Sequence, residues 1–566
     1  MNRENHKRLL RGAFFAASLA GLSLIDVAAG AAEKPRAAAI ASAHPLATEA
    51  GHEVLAAGGN AFDAAVAVSA ALAVVEPAGS GLGGGGFWLL HRARDGFEVM
   101  IDGRERTPLK ADRDMYLDSD GKVVDGLSID GPLAAGIPGE PAALAHIADN
   151  YGDLPLAKSL APAIRFAREG FLVDSHYRQL AVFRLQALRA SPAAAEIFLV
   201  DGEAPTVGYR LRQRDLAETL ERIARDGRDG FYAGSLAQKL VDGAVAEGGI
   251  WILADLADYK VVEREPIRGE YHGLRITSAA PPSSGGIVLI TALNVLSGFT
   301  LDNGDRVRRA HLITEAMRRA YRDRALYLGD PDFVDIPVDK LTHPLYADGL
   351  RAGIRMDRAT ASDTLPGVQP EEGGSSTTHF SVLDKEGNRV AATLSINYPF
   401  GSAFVAPGTG VLLNDEMDDF AASPGVPNVY GLVGAEANAI EPGKRMLSSM
   451  TPTFLENDQR VAVLGTPGGS RIISMVLLAS LEFADNGSAQ SMVELPRFHH
   501  QYLPDVVQYE REAFDLDTTE KLNALGHITR HRQRPYGNMH VVIWDKKART
   551  VEAASDPRGV GEAVVR

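Results

Sequence analysis

A polar linker that runs directly into an alternating strand constrains this chain more than any other feature. The linker is punctuated by Pro and Gly and ends at Ser376. Beyond it, Thr377, His379 and Ser381 fall on one side of an extended segment, because successive side chains of a strand point to opposite faces. The sequence therefore predicts a strand that begins with paired hydroxyl residues at the end of a flexible segment.

A cut at this junction would create a reactive group. A cut between Ser376 and Thr377 would give one residue both a hydroxyl and a free α-amino group. An α-amine titrates near ~8, so part of it is neutral at physiological pH and can accept the hydroxyl proton. Most Thr–Thr pairs are ordinary junctions between a loop and a strand, and these residues taken alone leave that alternative open.

Length and composition exclude several classes of protein. At 566 residues the chain is too long for one simple core, which favours two large segments or one large layered enzyme. The net charge of −15 argues against a nucleic-acid partner. The chain has no cysteine, which removes disulfides, thiolate metal sites and a cysteine nucleophile.

The first 31 residues have the composition of a secretory signal peptide. Lys7, Arg8 and Arg11 form a basic start, an apolar run follows over 12–25, and small residues come next. The run is shorter than the ~20 apolar residues that span a bilayer, so an uncleaved anchor is the weaker alternative. We expect a periplasmic or secreted protein with no stable membrane insertion.

A glycine-rich stretch at 79–86 follows a predicted buried helix over 60–75 and precedes an apparent strand over 87–90. Its glycines match the dinucleotide fingerprint G-x-G-x-x-G, but that fingerprint leaves a strand and enters a helix. The order here is the reverse. We therefore expect close backbone packing beneath a catalytic centre instead of a nucleotide site.

The histidines and acids show no metal-binding pattern. His499 and His500 are adjacent, so their side chains would diverge on a regular element, which favours a structural role. The acidic run at 415–419 lacks the alternation and glycine of a calcium loop. It is either a solvated acidic face or a site where Glu416 and Asp419, at i and i+3, converge on an ammonium group. We expect neither a metal nor a cofactor.

The C-terminal third begins with a predicted hairpin. Strands over 377–383 and 389–397 flank a polar turn, and Ser395 and Asn397 share a face because they are two residues apart. The segment 140–260 instead looks helical and charged. Strands and helices in separate runs indicate layered sheets.

A second glycine pair stands between a predicted strand over 461–464 and a helix over 470–483. The N–H groups of Gly468 and Gly469, with the helix dipole behind them, could stabilise a developing oxyanion. A plain strand-to-helix turn is equally consistent with these residues.

Ordered motifs along nearly the whole chain match one known family. They are 58–64, 81–87, Arg104-Glu105, 329–331, 377–382, 414–420, 424–431, 447–452, 467–471, 496–501 and 555–558. On these residues the chain resembles the γ-glutamyltranspeptidases, which are N-terminal-nucleophile hydrolases. The resemblance implies an α+β fold, a four-layer αββα sandwich, whose precursor cuts itself before Thr377. It further implies a large subunit of residues 32–376 and a small, interlocked subunit of 377–566.

The resemblance also implies a reaction. The Thr377 hydroxyl would attack the γ-carbonyl of glutathione or another γ-glutamyl compound and form a γ-glutamyl ester. Water, or the amine of an amino acid or dipeptide, would then take the γ-glutamyl group.

Binding roles carry over from the family residue by residue. Arg104, with the hydroxyls of Ser448 and Ser449, matches the groups that hold the substrate α-carboxylate, a bidentate task that suits guanidinium. The groups around the α-ammonium match Asn397, Glu416 and Asp419.

The remaining family positions surround the reacting atoms. Gly468 and Gly469 match the oxyanion hole, and Ser395 stands where relatives usually have a Thr that bonds the catalytic amine. Residues 424–439 resemble a lid loop over the pocket, with Tyr430 as its gate.

Two alternatives remain. A cephalosporin or glutaryl amide acylase of the same fold binds no α-ammonium, so the acid pair Glu416 and Asp419 disfavours it. An uncleaved, inactive homologue that serves as a binding protein is disfavoured by the intact Thr377, Ser395 and Arg104.

Overall fold

The computed structural model describes residues 34–365, 377–422, 428, 432 and 434–566. The predicted signal peptide at 1–31, Ser376 and Tyr430 lie outside the described residues. The strands are β1 (Ala39–Ser42), β2 (Gly85–Arg92), β3 (Phe97–Gly103), β4 (Phe171–Leu172), β5 (Arg210–Leu211), β6 (Val262–Arg264), β7 (Ile267–Tyr271), β8 (Leu274–Ser278), β9 (Thr378–Leu383), β10 (Arg389–Ser395), β11 (Thr453–Glu456), β12 (Arg460–Gly465), β13 (Phe498–His499), β14 (Val507–Tyr509), β15 (Thr529–His531), β16 (His540–Asp545), β17 (Thr550–Ser555) and β18 (Glu562–Val565).

The α-helices are α1 (Pro45–Ala56), α2 (Ala61–Val75), α3 (Glu140–Tyr151), α4 (Leu156–Glu169), α5 (Ser175–Phe183), α6 (Leu185–Ala190), α7 (Pro192–Phe198), α8 (Arg214–Asp226), α9 (Asp229–Tyr232), α10 (Gly234–Ala246), α11 (Leu253–Ala257), α12 (Gly285–Leu296), α13 (Arg306–Tyr327), α14 (Val338–Leu341), α15 (Pro344–Ala352), α16 (Ile472–Ala484), α17 (Ala489–Glu494) and α18 (Leu516–Ala524). The helical character predicted for 140–260 is confirmed. No helix within these described ranges is both long and apolar enough to cross a membrane.

Two large antiparallel sheets form the centre of the fold. The first has the strand order β18-β1-β9-β10-β2-β3-β6 and the second the order β17-β16-β12-β11-β8-β7. Leu89 and Leu383 of the first sheet share a buried cluster with Val463 and Val541 of the second, so the sheets pack face to face.

Helices cover the outer faces of both sheets. Phe380 and Leu394 of the first sheet pack into a cluster with α1, α2, α3 and α4. The second sheet shares its cluster with α12, α13 and α16. The predicted four-layer αββα arrangement is confirmed.

Helix α2 shows why the sequence begins a buried helix where it does. The Asn60 side chain accepts hydrogen bonds from the N–H groups of Phe62 and Asp63, and Asp63 accepts from the Asn60 N–H. This capping box satisfies donors that the helix cannot satisfy itself. Every residue of α2 is buried, so the helix can lie between the first sheet and α1 and α4.

The glycine-rich stretch packs directly against the end of β10. A side chain on Gly84 would place its Cβ 2.2 Å from the Ser395 carbonyl oxygen, and one on Gly86 would place it 2.5 Å from that of Thr393. Only glycine fits this approach, so the close backbone packing predicted here is confirmed.

Candidate active site

Strand β9 presents alternate side chains to the two sides of its sheet. Phe380 and Val382 pack toward the helices, whereas the Ser381 hydroxyl donates to the His540 carbonyl of the second sheet at 3.0 Å. Thr377 immediately precedes this strand, is buried, and lines a narrow cleft. The predicted alternation of this segment is confirmed.

Strand β10 brings Ser395 next to that strand start. Thr378 pairs with Leu394 in the β9–β10 register, so the next pair outward is Thr377 and Ser395. Ser395 Oγ accepts a hydrogen bond from the Asn397 N–H at 2.7 Å. Ser395 and Asn397 both line the cleft, and their proximity follows from the hairpin register alone.

Asn397 is held in a conformation that few residues adopt. Its φ of 73° lies in the left-handed region, which Asn tolerates better than most residues. Its side-chain amide donates to the Asp415 carbonyl at 3.0 Å, which ties the end of β10 to the acidic segment.

Arg104 follows β3 and spans two carboxylates of that acidic segment. Its Nη1 donates to Glu416 Oε2 at 2.5 Å and its Nη2 to Asp419 Oδ2 at 2.6 Å. Glu416 and Asp419 lie in one 3₁₀ turn, which puts both carboxylates on the same side, as the i and i+3 spacing predicts. With Arg104 paired to these acids, the free space in the cleft is about 20 Å³, room for about one water molecule.

The acids around Arg104 are incompletely hydrogen-bonded. Glu416 Oε1 and both side-chain oxygens of Glu105 are buried and accept no hydrogen bond of normal geometry from the described residues. Arg104 Nη1 lies 3.5 Å from Glu105 Oε2, and the nearby Ser395 hydroxyl favours the ionised form of Glu416. Burial raises the pKa of Glu416 to about 7 against the opposing effect of Arg104, and burial likewise raises the pKa of Glu105. Unsatisfied buried acceptors favour the entry of a hydrogen-bond donor with positive charge.

Ser448 and Ser449 line the cleft next to Arg104 and are positioned from the large segment. Ser284, just before α12, donates its N–H and its hydroxyl to the Ser448 carbonyl at 2.8 and 2.7 Å. Arg324 of α13 donates to Ser284 Oγ at 3.0 Å and to Ser449 Oγ at 3.2 Å.

Arg324 is a buried cation without a direct ion pair among the residues that the structure describes. Burial lowers the pKa of its guanidinium to about 10, while the nearby Asp419 opposes that change. Its charge therefore adds a positive potential on the side of the cleft that carries Ser449.

The second glycine pair forms a tight turn between β12 and α16. Gly468 and Gly469 have φ values of 146° and 56°, which disfavour any residue with a side chain. Within the described part of the chain, neither N–H donates to an acceptor. Gly469 lines the cleft, so the turn offers free donors beside Thr377 and a helix N-terminus behind them.

The structure brings together most of the residues that the resemblance singled out. The cleft is lined by Arg104, Thr377, Ser395, Asn397, Glu416, Asp419, Ser448, Ser449 and Gly469, and Gly468 precedes Gly469 in the turn. Ser376 and Tyr430 are outside the described residues, so their predicted roles stay predictions.

Sequence reasoning missed Arg324. The signal was available, because Arg324 lies four residues after Ala320 on the face of α13 that carries Ile313 and Met317. A charged residue on an otherwise apolar helix face indicates a buried charge with a specific partner.

Comparison with known proteins agrees with this geometry. A family model described as Gamma-glutamyltranspeptidase matches residues 47–566. The chain is 46% identical over 497 residues to a glutathione hydrolase proenzyme of Pseudomonas sp. (strain A14), covering 86% of this chain and 85% of that protein. It is 42% identical over 532 residues to a glutathione hydrolase proenzyme of Escherichia coli (strain K12), covering 92% and 90%. A crystal structure of a cephalosporin acylase from Bacillus halodurans superposes with a TM-score of 0.81 at 28% identity, covering 94% of this chain and 96% of that chain.

Proposed function

Because this chain belongs to the γ-glutamyltranspeptidase family, we propose that it is a γ-glutamyltransferase and glutathione hydrolase made from a self-cleaving precursor. The observation that supports this most directly is the composition of one cleft. A threonine at a strand start, an arginine, two acids and a glycine turn line it together.

Self-cleavage would begin at the Ser376–Thr377 peptide bond. The Thr377 hydroxyl attacks the Ser376 carbonyl, and the acyl group moves from the Thr377 nitrogen to its oxygen. Water then hydrolyses that ester and leaves Thr377 with a free α-amine. The products are the large subunit, 32–376, and the small subunit, 377–566.

The same hydroxyl then serves the external reaction. The α-amine of Thr377, held by Ser395, takes the hydroxyl proton as the oxygen attacks the γ-carbonyl of a donor such as glutathione. The N–H groups of Gly468 and Gly469 stabilise the oxyanion. The leaving amine takes the proton, and a γ-glutamyl ester of Thr377 remains for water or an acceptor amine.

The rest of the cleft would hold the amino-acid end of the donor. Arg104 turns from Glu416 and Asp419 to the α-carboxylate, with help from Ser448 and Ser449. The acids, with Asn397, then receive the α-ammonium. The internal ion pairing of Arg104 with the acids is thus replaced by two ion pairings with the substrate, one at its carboxylate and one at its ammonium. These two pairings offset the desolvation of the substrate's charges.

The remaining proposals concern regions that lie wholly or partly outside the described residues. Tyr430 gates the cleft from the loop 424–439, and the signal peptide at 1–31 directs export to the periplasm or beyond. Neither step needs a metal or a cofactor.

The direct test is Thr377→Ala, expected to stay full-length and inactive because the attacking oxygen is gone. A denaturing gel and the release of nitroaniline from γ-glutamyl-p-nitroanilide measure both effects. Thr377→Ser keeps the hydroxyl and should still be cut, and sequencing of the small wild-type fragment should begin at Thr377. A cut Thr377→Ala protein would refute the role of this hydroxyl in cleavage.

An acylase activity is the second candidate, since the cephalosporin acylase has a similar structure. The two activities differ in whether the donor carries an α-ammonium for Glu416 and Asp419. We expect faster release from the γ-glutamyl anilide than from the matching glutaryl anilide. The reverse order would reassign the substrate.

A further inference from the structure

A short segment near the end of the proposed large subunit is tied down along most of its length. Residues 359–365, here called the pre-cleavage segment, are the last described residues before the proposed scissile bond. Ser376, at that bond, comes eleven residues after Leu365. Ser362 is fully buried, whereas the residues on either side of it are exposed. A buried polar residue between exposed neighbours indicates specific partners for this stretch of chain.

Helix α13 holds one side of the pre-cleavage segment. Glu315 accepts hydrogen bonds from the N–H and the hydroxyl of Thr360 at 3.0 and 2.6 Å. Arg319 donates to the same hydroxyl at 3.1 Å, and Arg318 donates to the Ser362 hydroxyl. All three side chains of α13 are buried, so these charge-assisted hydrogen bonds fix the segment against the helix.

A loop of the proposed small subunit, residues 500–505, holds the other side. Asp505 Oδ2 accepts a hydrogen bond from the Ser362 N–H at 2.7 Å, and the Tyr502 hydroxyl donates to the Leu365 carbonyl at 3.0 Å. Tyr502 has a φ of 73°, a left-handed conformation that is uncommon for an aromatic residue and unfavourable in free energy. The loop therefore adopts a strained backbone while it presents Tyr502 and Asp505 to the same segment.

The pre-cleavage segment is connected to the wall of the cleft through α13. The Tyr321 hydroxyl donates to the Ser470 carbonyl, and Ser470 lines the cleft. Tyr321 lies three residues after Arg318 in the helix, a rise of about 5 Å. One rigid helix thus contacts both the pre-cleavage segment and the cleft wall.

Self-cleavage requires a defined path of the chain into Thr377. The Thr377 hydroxyl must approach the Ser376 carbonyl carbon in a geometry that an unrestrained peptide rarely holds. The strand that follows Thr377 fixes one end of this path, since Thr378 pairs with Leu394. With Leu365 fixed at the other end, the residues between can span at most roughly 40 Å, and they sample fewer conformations than a free tail.

We propose that Asp505 and Tyr502 are positioning residues for self-cleavage, which hold the pre-cleavage segment so that the chain enters Thr377 in the reactive geometry. This inference rests on the proposed self-cleavage. In that step Thr377 Oγ1 bonds to the Ser376 carbonyl carbon, the bond from that carbon to the Thr377 nitrogen breaks, and the hydroxyl proton passes to the nitrogen. Neither positioning residue lines the cleft, so turnover by the cut enzyme should not need them.

The experiment follows the full-length precursor over time after cell-free synthesis, on a denaturing gel. Tyr502→Phe removes only a hydroxyl and should slow the appearance of the two fragments about fivefold, the effect of one hydrogen bond. Asp505→Asn removes a charged acceptor and should slow it at least about tenfold. In both variants the cut fraction should keep the wild-type kcat/KM with γ-glutamyl-p-nitroanilide.

Tyr177→Phe is the matched control. The Tyr177 hydroxyl also donates to a backbone carbonyl, that of Phe198, at 3.0 Å. Tyr177 packs in the cluster that contains α1 to α4, whereas Tyr502 packs in the cluster that contains α13. The two variants lose the same kind of hydrogen bond, so the urea midpoints of the cut proteins should fall by similar amounts. Only Tyr502→Phe should slow cleavage, which a general loss of stability would not explain.

The outcomes are distinguishable. If the wild-type precursor is never cut before Thr377, the proposed self-cleavage itself fails. If it is cut, and Tyr502→Phe and Asp505→Asn are cut at the same rate, the positioning role is refuted while the proposed function stands. Equal slowing in Tyr177→Phe, or a matching fall in kcat/KM of the cut variants, would refute the role as well. Asp505 also pairs with Arg318 and His500, so Tyr502→Phe decides the question if Asp505→Asn does not fold.

Discussion

Two buried charged clusters in this protein use their hydrogen-bonding groups in opposite ways. The cleft cluster consists of Arg104, Glu105, Glu416 and Asp419, and three of its carboxylate oxygens have no hydrogen bond from the described residues. The α13 cluster is centred on Glu315, which accepts from Arg318, from Arg319 and twice from Thr360.

The difference appears in the acidity of the two central glutamates. Burial opposes ionisation in both. For Glu315, Arg318 and Arg319 overcome burial and lower the pKa to about 2. For Glu416, burial prevails and the pKa rises to about 7.

The α13 cluster also has the spacing of a metal site, since Glu315 lies near His311 and His527. The Glu315 carboxylate already accepts four hydrogen bonds and lies between two arginines, which disfavours a further cation. Buried charge therefore does not mark a functional site. Of these two clusters, the one that lines the cleft is the one with unused hydrogen-bonding capacity.

Of these variants, Arg104→Gln is expected to have the largest effect on kcat/KM. Its effect on stability should be small. The loss of the two charge-assisted hydrogen bonds that we propose for the donor carboxylate, about 1.5–3 kcal/mol each, should lower kcat/KM by at least about a hundredfold. The thermal midpoint should fall little, because Glu416, whose pKa burial raises to about 7, can take up a proton once Arg104 is gone. Normal kcat/KM with γ-glutamyl-p-nitroanilide would remove the basis for the cleft as donor site.

Glu315→Gln should instead lower the stability of the protein and leave its activity nearly unchanged. It leaves Arg319 buried beside a neutral group, while Arg318 keeps only its ion pair with Asp505, and arginine cannot release its proton. The free energy of unfolding should fall by about 3–5 kcal/mol, as when one partner of a buried ion pair is removed. Urea denaturation measures this loss, and kcat/KM of the folded fraction should stay within about twofold. A large loss of activity without a loss of stability would break the comparison.

Arg324→Met tests a residue that belongs to neither cluster but acts on the cleft. Without its hydrogen bond, the Ser449 hydroxyl is free to turn away from the donor carboxylate. We expect KM for the donor to rise about tenfold with a smaller change in kcat, since one charged hydrogen bond is lost. Arg324→Lys should recover part of the effect, because the positive charge remains. A change confined to kcat would contradict the assigned position.

The smallest effect concerns pH. A pKa near 7 means that Glu416 becomes ionised as the pH rises through neutrality, and only the ionised form pairs with an α-ammonium. Below pH 7, kcat/KM should therefore fall, by up to about tenfold per pH unit. In Glu416→Gln the fall between pH 5.5 and 7 should become less steep, because an amide accepts a hydrogen bond without titrating and only the Thr377 α-amine then takes up a proton. An unchanged pH profile in that variant would show that Glu416 does not cause the fall in kcat/KM below pH 7.

Local structure followed from the sequence where short-range rules decide it. The start of α2 at Asn60 and the β9–β10 hairpin were both predicted and are both present. Each depends on residues within about twenty positions of one another. The prediction that 79–86 packs closely was correct for the same reason, since glycine limits what the backbone can contact.

The packing of segments that are distant in sequence could not be predicted in this way. Nothing local places β1 between β18 and β9, strands that lie hundreds of residues apart in sequence. The cleft draws Arg104, Thr377, Ser448 and Gly469 from separate segments, and only the family resemblance joined them before the structure did. The unsatisfied oxygens of Glu105 depend on what surrounds them in three dimensions, which periodicity does not reveal.

The interleaved order of the first sheet has a consequence for the cut protein. Strands from before and after Thr377 alternate, with β1 between β18 and β9, and β10 beside β2. The proposed scission before Thr377 would therefore sever one covalent link and leave every ladder of the described residues intact, so dilution should not separate the fragments. Once unfolded, however, the two chains must find each other again by a bimolecular encounter. Refolding should thus depend on protein concentration for the mature enzyme but not for its uncut precursor.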